Sequence, residues 1–376
     1  MDYFTHNMRV LWKVILFCFV LIFWTVIWIQ KPQILEKPQI LKDPKNWKNP
    51  TPLYSNNSKK VYKKVLIMAY WRTGSTYFGQ LLSRYPNTYY NYEPLHLLSN
   101  RRNHWKNYTE EEGIHLIEDI FNCDFQSNLS MKYLLHIKNH RRKVTFQVPY
   151  LLDNCKHETY RNSLTCFNSD LHAKLCTNST MNMIKTVRLR ISAVKVLIEN
   201  YPDMKVIVLV RDPRAVLNSR WTGFSGWCGD KPHCKEVSSF CNEFTNDISG
   251  LLDMINNGVK NIHIVRYEDL VSNRSNIVTN TLKSLGVTIT YERVQKFFNG
   301  LESDKKYLYN AARSGLISYR RKPEMVATKW LSRLPESVVD IIQKRCEEPM
   351  KLLGYPDRHS IFEGKTNVIQ PYENIR

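Results

Sequence analysis

One short stretch, Lys63–Tyr77, constrains the fold of this chain more than any other. It begins with Val65–Ala69, a nearly continuous apolar run that is typical of a strand buried on both faces of a parallel sheet. A glycine turn follows, and the apolar residues after it recur at helical spacing, at Phe78, Leu81, Leu82 and Tyr85. A strand, a tight turn and a helix in this order direct backbone N–H groups and a helix N-terminus at a bound anion.

The turn carries the polar groups that an anion site needs. Gly74 allows close approach of the backbone, Ser75 and Thr76 add hydroxyl donors, and Arg72 adds a fixed positive charge. A Walker loop would read G-x-x-x-x-G-K-[ST], whereas here Ala69 replaces the first glycine and Ser75 replaces the lysine. We therefore predict a phosphate-binding turn that lacks the lysine and Mg²⁺ of nucleoside-triphosphate sites. Taken alone, the stretch is equally compatible with an ordinary α/β turn.

The charge balance indicates an anionic partner. The 376 residues include 54 Lys and Arg against 34 Asp and Glu, a formal net charge of +20. Such a surface suits a nucleotide, an acidic glycan, a nucleic acid or a membrane. Because no zinc-finger, RNP or helix-turn-helix signature accompanies the charge, we expect no nucleic-acid partner.

The N-terminal region predicts a membrane anchor. Val10–Ile29 is apolar except for Lys13 and Thr25, long enough to span a bilayer, and not followed by a signal-peptidase site. The predicted organisation is a cytoplasmic tail (1–9), a signal-anchor helix (10–29), a proline-rich stem (30–60), a catalytic domain (61–357) and a C-terminal tail (358–376).

The sequence gives conflicting signals about which side of the membrane holds the catalytic domain. The lysines after the span, counted locally, favour the cytosol. Five N-x-[ST] acceptors favour the lumen, at Asn56, Asn107, Asn128, Asn178 and Asn273. Eight cysteines that suit disulfides point the same way: Cys123, Cys155, Cys166, Cys176, Cys228, Cys234, Cys241 and Cys346. We expect a luminal domain, and no metal site, because neither a C-x-x-C pair nor a His cluster at zinc spacing is present.

Glu93 is the candidate general base. It follows the predicted strand Thr88–Tyr92, and Pro94 keeps it extended at the strand end. In a doubly wound sheet, that end faces the ligand crevice, and we expect the strand to lie beside the Arg72–Thr76 turn. A solvated loop glutamate is the alternative. Beyond it, residues 101–182 are predicted to be a disulfide-tied insertion with helices near Glu110–Phe121 and Leu129–Asn139.

A second phosphate-binding motif begins at Arg211. The buried strand Met204–Val210 runs directly into Arg211-Asp-Pro-Arg-Ala-Val-Leu-Asn-Ser219. Pro213 suits the first turn of a helix, with Asp212 as its N-cap. Arg211 and Ser219, two turns apart, could then hold one phosphate from two directions. A local Arg211–Asp212 salt bridge is the alternative.

The other predicted elements complete an alternating α/β pattern. They are the strands Met181–Val187 and Asn261–Val265 and the helices Ile191–Asn200, Val237–Asn256 and Pro335–Leu353. Glu268 and Asp269, after the last strand, are either an acidic helix cap or a second catalytic pair.

These motifs resemble those of the Golgi carbohydrate sulfotransferases that sulfate the 6-hydroxyl of galactose, N-acetylgalactosamine or N-acetylglucosamine. Trp71–Phe78 is similar to the family's 5′-phosphosulfate loop, and Leu209–Arg220 is similar to its 3′-phosphate motif. Tyr92-Glu-Pro94, Ile184-Lys-Thr-Val-Arg188, Arg266-Tyr-Glu-Asp-Leu270 and Leu353-Gly-Tyr355 also fit. The resemblance spans roughly residues 64–355, but the 101–182 insertion matches none of its motifs.

The resemblance implies a P-loop-like parallel sheet flanked by helices, with 3′-phosphoadenosine 5′-phosphosulfate (PAPS) as the donor and no metal. It implies glycan acceptors with keratan, chondroitin or N-acetylglucosamine termini, and a Golgi membrane location. The implied catalytic residues are Glu93 as the base, and Lys185 and Arg72 as charge stabilisers. The implied donor-binding residues are Trp71, Arg72, Thr73, Gly74, Ser75, Thr76, Tyr77, Arg211, Asp212, Pro213, Arg214, Ala215, Val216, Leu217, Asn218 and Ser219.

Two other functions remain open from the sequence. A luminal nucleotide kinase would also need two phosphate-binding loops, although the missing Walker lysine argues against it. A catalytically inactive glycan-binding membrane protein would keep the basic surface but would not need Glu93, Lys185 and Arg211 together.

Overall fold

A five-stranded parallel sheet forms the centre of the fold. The computed structural model describes residues 63–98, 109–139, 168–223, 232–292, 294–295 and 323–362. The strands are β1 (Lys63–Ala69), β2 (Thr88–Tyr92), β3 (Met181–Thr186), β4 (Lys205–Val210) and β5 (Ile262–Arg266). Their order across the sheet is β2-β3-β1-β4-β5, and every neighbouring pair is parallel. The predicted parallel α/β sheet is confirmed.

The sheet order creates one crevice between β1 and β4. The chain leaves β1 toward β2 on one side, and it leaves β4 toward β5 on the other. The two connections therefore diverge at the carboxyl ends of adjacent strands, which is where ligands bind in open α/β sheets. The prediction that β2 lies directly beside the first phosphate-binding turn is wrong, because β3 pairs with both β1 and β2 and separates them.

Helices follow most of the strands, and others form the insertion and the C-terminal region. Those described are α1 (Ser75–Ser83), α2 (Glu110–Phe121), α3 (Asn128–Asn139), α4 (Ser169–Thr177), α5 (Ile191–Asn200), α6 (Pro213–Gly223), α7 (Pro232–Lys235), α8 (Val237–Asn256), α9 (Tyr267–Ser272), α10 (Arg274–Ser284), α11 (Pro323–Thr328), α12 (Glu336–Arg345), α13 (Glu347–Leu352) and α14 (Arg358–Phe362). Short 3₁₀ turns cover Pro94–His96 and Lys329–Ser332.

Each face of the sheet has its own apolar core. Leu66 and Met68 of β1 face a cluster that includes side chains of α2, α5 and α8, whereas Val65, Ile67 and Ala69 face a cluster with α1 and α10. Successive side chains of a strand point to opposite faces, so covering both faces requires an uninterrupted apolar run.

The insertion contributes helices to this core. Its predicted helices are confirmed as α2 and α3, and a capping box between Thr109 and Glu112 begins α2. The Cys123–Cys176 disulfide joins the segment after α2 to α4. Leu116 and Ile120 of α2 are fully buried beside α5. The part of the insertion that the structure describes is therefore packed as one layer of the domain.

The C-terminal region differs from the prediction of one helix over Pro335–Leu353. Two helices, α12 and α13, meet at Cys346. Pro349 has no N–H to donate to the carbonyl of Arg345, so the hydrogen-bond ladder is interrupted there. The predicted buried face survives, with Ile342, Cys346 and Leu353 fully buried.

The predicted tail, 358–376, begins with the short helix α14, and Arg358 forms ion pairs with Glu336 and Asp340 of α12. A second disulfide, Cys241–Cys346, joins α8 to the junction of α12 and α13, and Cys234 is disulfide-bonded as well. Within the described ranges, no helix has the length and apolarity needed to cross a membrane. The predicted anchor, Val10–Ile29, and the stem lie outside those ranges.

Candidate functional site

The two predicted phosphate-binding motifs meet at the crevice between β1 and β4. The first loop, Tyr70–Gly74, joins β1 to α1, and the second loop, Arg211–Asp212, joins β4 to α6. Nε of Arg72 donates a hydrogen bond to Oγ of Ser219 over 3.0 Å. A guanidinium N–H of Arg211 donates to the carbonyl oxygen of Arg72 over 2.8 Å. Residues that are about 140 positions apart in the sequence therefore form one basic site.

The first loop has an unusual backbone. Arg72 has a φ of 74° and Gly74 a φ of 87°, and Thr73 closes the turn by donating from its N–H and its hydroxyl to the carbonyl of Tyr70. A positive φ strains a non-glycine residue, and such strain is found preferentially at functional sites. A Cβ at Gly74 would lie 2.4 Å from the ring of Tyr267, so glycine is also required by the packing.

The remaining first-motif residues surround this turn. Trp71 is mostly buried, and Ser75 begins α1 close to the crevice. The hydroxyl of Thr76 lies 3.4 Å from that of Tyr92, which connects α1 to the end of β2. Tyr77 accepts a hydrogen bond from Arg274 over 3.4 Å.

Arg211 is buried against the first loop. Its second guanidinium N–H donates to the carbonyl of Val326 over 2.6 Å, and its cation lies 4.7 Å from the ring centroid of Tyr267. Its Nε is buried and has no hydrogen-bond partner in the part of the chain that the structure describes. A buried guanidinium with an unused donor fits an incoming anionic oxygen.

The rest of the second motif divides into two groups. Pro213 starts α6 and Asp212 caps it by accepting from the N–H of Arg214, as predicted. The carboxylate of Asp212 pairs with the fully buried Arg214 at 2.8 Å, so the alternative of a local Arg211–Asp212 salt bridge is not what forms. The next three side chains pack into the apolar core and do not line the crevice: Ala215, Val216 and Leu217. Asn218, one position before Ser219, is buried, and its Oδ1 has no hydrogen-bond partner among the described residues.

Glu93 lies in a cluster with two cations. Its carboxylate oxygens pair with Nζ of Lys185 at 2.5 Å and with Arg188 at 2.6 Å, and the backbone N–H of Val187 donates to it over 3.4 Å. The N–H of Glu93 donates to the carbonyl of Lys185, because β2 and β3 are paired up to this point. Glu93 has a φ of 50° and a ψ of 52°, which is the left-handed region, so the prediction that Pro94 keeps it extended is wrong. The alternative of a solvated loop glutamate is excluded, since Glu93 is 6% exposed.

The positive charges of Lys185 and Arg188 keep the carboxyl group of Glu93 ionised. Burial by itself would raise the pKa of this carboxyl, but the adjacent Lys185 and Arg188 and their hydrogen bonds lower the pKa below its ordinary value. Glu93 is therefore a carboxylate at neutral pH. Its two oxygens are bonded to cations that are themselves well placed to bind an anionic substrate.

Sequence reasoning missed the role of Arg188. Its guanidinium bonds Glu93 and lies 5.5 Å from the ring centroid of Trp71, so it connects the candidate base to the first loop. The signal was present, because Arg188 follows Lys185 by three residues at the same end of the sheet. Arg220, at the end of the second motif, was also given no role. It donates to the carbonyl of Trp71, and burial lowers its pKa to about 10.

Comparison with known proteins gives several similar chains. Carbohydrate sulfotransferase 1 of Mus musculus is 27% identical over 364 residues, which cover 86% of each chain. Carbohydrate sulfotransferase 5 of Mus musculus is 23% identical and covers 80% of this chain and 82% of its own. Among solved structures, the sulfotransferase domain of the Synechococcus PCC 7002 olefin synthase is 18% identical, with a TM-score of 0.45, covering 80% of this chain and 98% of its own.

The decisive match is to a family model described as the sulfotransferase family. It covers residues 64–291, a range that includes β1 from its second residue, both phosphate-binding motifs, the Glu93 cluster and β5. The match extends over more than half of the chain, and the chain is a sulfotransferase that belongs to the sulfotransferase family.

Proposed function

We propose that this enzyme transfers a sulfuryl group from PAPS to the 6-hydroxyl of galactose, N-acetylgalactosamine or N-acetylglucosamine in a glycan. The observation that carries the proposal is the meeting of the two loops through Arg72, Ser219 and Arg211 beside the buried Glu93–Lys185 pair. The similar chains named carbohydrate sulfotransferases support a sugar acceptor. The basic composition suits an anionic donor and an acidic glycan.

The two loops would hold the two ends of the donor. Arg211 and Ser219 bind the 3′-phosphate, and Nε of Arg211, which has no partner within the described ranges, is a donor for it. The backbone of the first loop, with Arg72, Ser75 and Thr76, binds the 5′-phosphosulfate. PAPS supplies an activated sulfuryl group, whose sulfur–oxygen bond to the 5′-phosphate breaks as a bond from sulfur to the sugar oxygen forms.

Glu93 would act as the general base. A sugar hydroxyl has little tendency to ionise at neutral pH, so its proton must be accepted as the new bond forms. Glu93 accepts it, while Lys185 and Arg72 stabilise the negative charge that develops on the leaving phosphate oxygen. Arg188 would stay paired with Glu93 while Lys185 acts on the donor, because each cation bonds a different carboxylate oxygen.

Labelled PAPS and a panel of acceptors test this function. Desulfated keratan, desulfated chondroitin and N-acetylglucosamine-terminated chains are incubated with the full-length protein, and each active acceptor is compared with its 6-deoxy analogue. Transfer to the parent sugar but not to the 6-deoxy sugar is the expected result. Equal transfer to both would contradict the 6-hydroxyl assignment. Protection against thermal unfolding by ATP but not by PAPS would instead favour a kinase.

Arg211→Ala tests the donor assignment separately. A charge-assisted hydrogen bond contributes about 1.5–3 kcal/mol, so the variant should bind PAPS roughly 10- to 150-fold more weakly. Affinity for adenosine 5′-phosphosulfate, which has no 3′-phosphate, should change little. Equal losses for both ligands would remove Arg211 from this role.

The proposal includes a type II arrangement in the Golgi membrane, with Val10–Ile29 as the anchor and the catalytic domain in the lumen. Its support is the pair of disulfides, which need an oxidising compartment, and the exposure of three sequon residues, Asn128, Asn178 and Asn273. Treatment of the cell-expressed protein with an endoglycosidase should increase its gel mobility. An unchanged mobility, together with cysteines that all react without reduction, would contradict the luminal assignment.

A further inference from the structure

Glu268 is a buried carboxylate that the proposed mechanism does not use. It lies in α9, directly after β5, and is 0% exposed. One of its oxygens accepts a hydrogen bond from the backbone N–H of Asp212 over 3.2 Å, and the other accepts from the hydroxyl of Tyr355, also over 3.2 Å. Glu268 therefore connects the second loop to the C-terminal segment.

The hydrogen bond to Asp212 fixes the backbone that carries Arg211. The N–H of Asp212 belongs to the peptide group that joins Arg211 to Asp212. Asp212 is the N-cap of α6, so its N–H precedes the helix and has no acceptor within it. Glu268 supplies that acceptor and so sets the orientation of the peptide plane from which the Arg211 side chain departs.

The C-terminal segment Leu353–Pro356 is held from the same side. Arg266 donates to the carbonyls of Leu353 and Gly354 over 3.2 and 3.1 Å, and its cation lies 4.7 Å from the ring centroid of Tyr355. Arg214 donates to the carbonyl of Pro356 over 2.8 Å while it pairs with Asp212. These contacts fix the segment that carries Tyr355, whose hydroxyl donates to the Glu268 carboxylate.

A purely space-filling side chain would not require an oxygen acceptor at this place. Glu268 is buried next to the carboxylate of Asp212, which is an unfavourable arrangement of like charges. An apolar side chain would fill the same volume without that penalty, but it could not accept from the N–H of Asp212. The unfavourable burial of Glu268 beside Asp212 is consistent with a need for an oxygen that accepts from the N–H of Asp212.

We propose that Glu268 is a positioning residue for the 3′-phosphate of the donor, acting through the Arg211–Asp212 peptide group and supported by Tyr355. The inference rests on the proposed function, in which Arg211 binds that phosphate. It assigns a role in donor recognition to Glu268 and Tyr355, one residue from each of two motifs that have no role in the proposed mechanism.

The test compares two ligands that differ only in the 3′-phosphate. Binding of adenosine 3′,5′-bisphosphate (PAP) and of 5′-AMP to the full-length protein is measured by calorimetry. Glu268→Asp keeps the charge but shortens the side chain by one methylene, so its carboxylate no longer reaches the N–H of Asp212. We expect affinity for PAP to fall on the order of tenfold, or 1.4 kcal/mol, with little change for 5′-AMP.

Glu268→Gln provides the matched comparison. It keeps the length of the side chain and an oxygen acceptor, and its ratio of PAP to 5′-AMP affinity should stay close to that of the native protein. Asp269→Asn is the neighbouring control and should also leave the ratio unchanged, because Asp269 pairs with Arg266 and not with Asp212. Because Glu268→Asp and Glu268→Gln are conservative, the test does not depend on whether Glu268→Ala folds.

The outcomes separate this inference from the function on which it rests. If Glu268→Asp leaves the ratio unchanged, or weakens both ligands equally, Glu268 is only structural and the inference is wrong. If Arg211→Ala also leaves the ratio unchanged, the 3′-phosphate site itself is misassigned. A selective loss in Arg211→Ala with none in Glu268→Asp overturns the positioning role alone.

Discussion

Neutralising Glu93 should reveal that this residue has both a catalytic and a structural role. The sequence alone predicts that Glu93→Gln keeps the fold, because glutamine is nearly isosteric. The geometry predicts otherwise, since Lys185 and Arg188 are 2% and 6% exposed in their side chains and both pair with this one carboxylate. Removing one partner of a buried ion pair typically destabilises a protein by about 3–5 kcal/mol.

The two roles can be measured on the same variant. For a domain of this size, each kcal/mol lowers Tm by about 2–4 °C, so Glu93→Gln should melt roughly 6–20 °C below the native protein without ligand. Loss of a general base should also lower kcat by about 10²- to 10⁴-fold. Because Lys185 and Arg188 are no longer neutralised, we expect PAP to bind the variant more tightly and to recover part of the lost Tm.

Differential scanning calorimetry with and without PAP, together with turnover on the best acceptor, checks these expectations. Glu243→Gln is a matched control, because it also removes a carboxylate from an arginine, Arg190, but in a partly exposed pair worth no more than about 1 kcal/mol. A Glu93→Gln protein that melts within a degree or two of the native one refutes the structural argument. Near-native turnover on the true acceptor refutes the catalytic one.

Two further substitutions test the framework of the site. Gly74→Ala forces an L side chain to a φ of 87° and against the ring of Tyr267. It should lower the free energy of unfolding, measured by thermal melting, by more than the ~1–2 kcal/mol that the left-handed backbone alone costs. Because Arg211 lies over the same ring, the variant should also bind PAP more weakly in calorimetry. Replacing Cys241 and Cys346 by serine should cost about 2–5 kcal/mol in stability, measured by denaturant unfolding, and an unchanged midpoint would contradict a structural role for that disulfide.

The sequence predicted the elements whose signals are local. Buried strands such as β4 are continuous apolar runs, and α2, α5 and α8 have the bounds that their periodicity indicates. The two loops were found because strand, turn and helix are contiguous in the chain. The break at Cys346 was missed because the apolar spacing continues across it, and only the missing N–H of Pro349 indicates it.

Contacts between distant residues could not be predicted in the same way. Glu93 and Arg188 are 95 positions apart, and they meet only because β3 inserts between β1 and β2. The sequence contains both residues but carries no local pattern that specifies the order of strands in a sheet. The same holds for Glu268 and Tyr355, which are 87 positions apart. Such long-range pairs determine which charged side chains already have a partner in the protein and which can bind a substrate.

The ionisation of Glu268 leads to a last prediction, a pH dependence of stability. Burial and, to a smaller extent, the adjacent Asp212 raise the pKa of this carboxyl to about 7, against the opposing charges of Arg211 and Arg266. Tyr355 also faces it, and Asp269, whose pKa burial raises to about 6, lies nearby. The ordinary value of about 4.5 applies to the unfolded chain.

A carboxyl whose pKa is raised by folding binds its proton more tightly in the native state. Stability contributed by the protonated form is therefore present at low pH and is lost as pH rises from about 4.5 through 7. Between pH 6 and pH 8 the loss from Glu268 is about 1 kcal/mol, or roughly 2–4 °C in Tm. Glu268→Gln cannot ionise, so its Tm should vary less over this interval than that of the native protein, whereas Asp269→Asn isolates the contribution of the neighbouring carboxyl of Asp269. If the native and Glu268→Gln proteins lose the same Tm between pH 6 and pH 8, Glu268 does not titrate in this interval and the prediction is wrong.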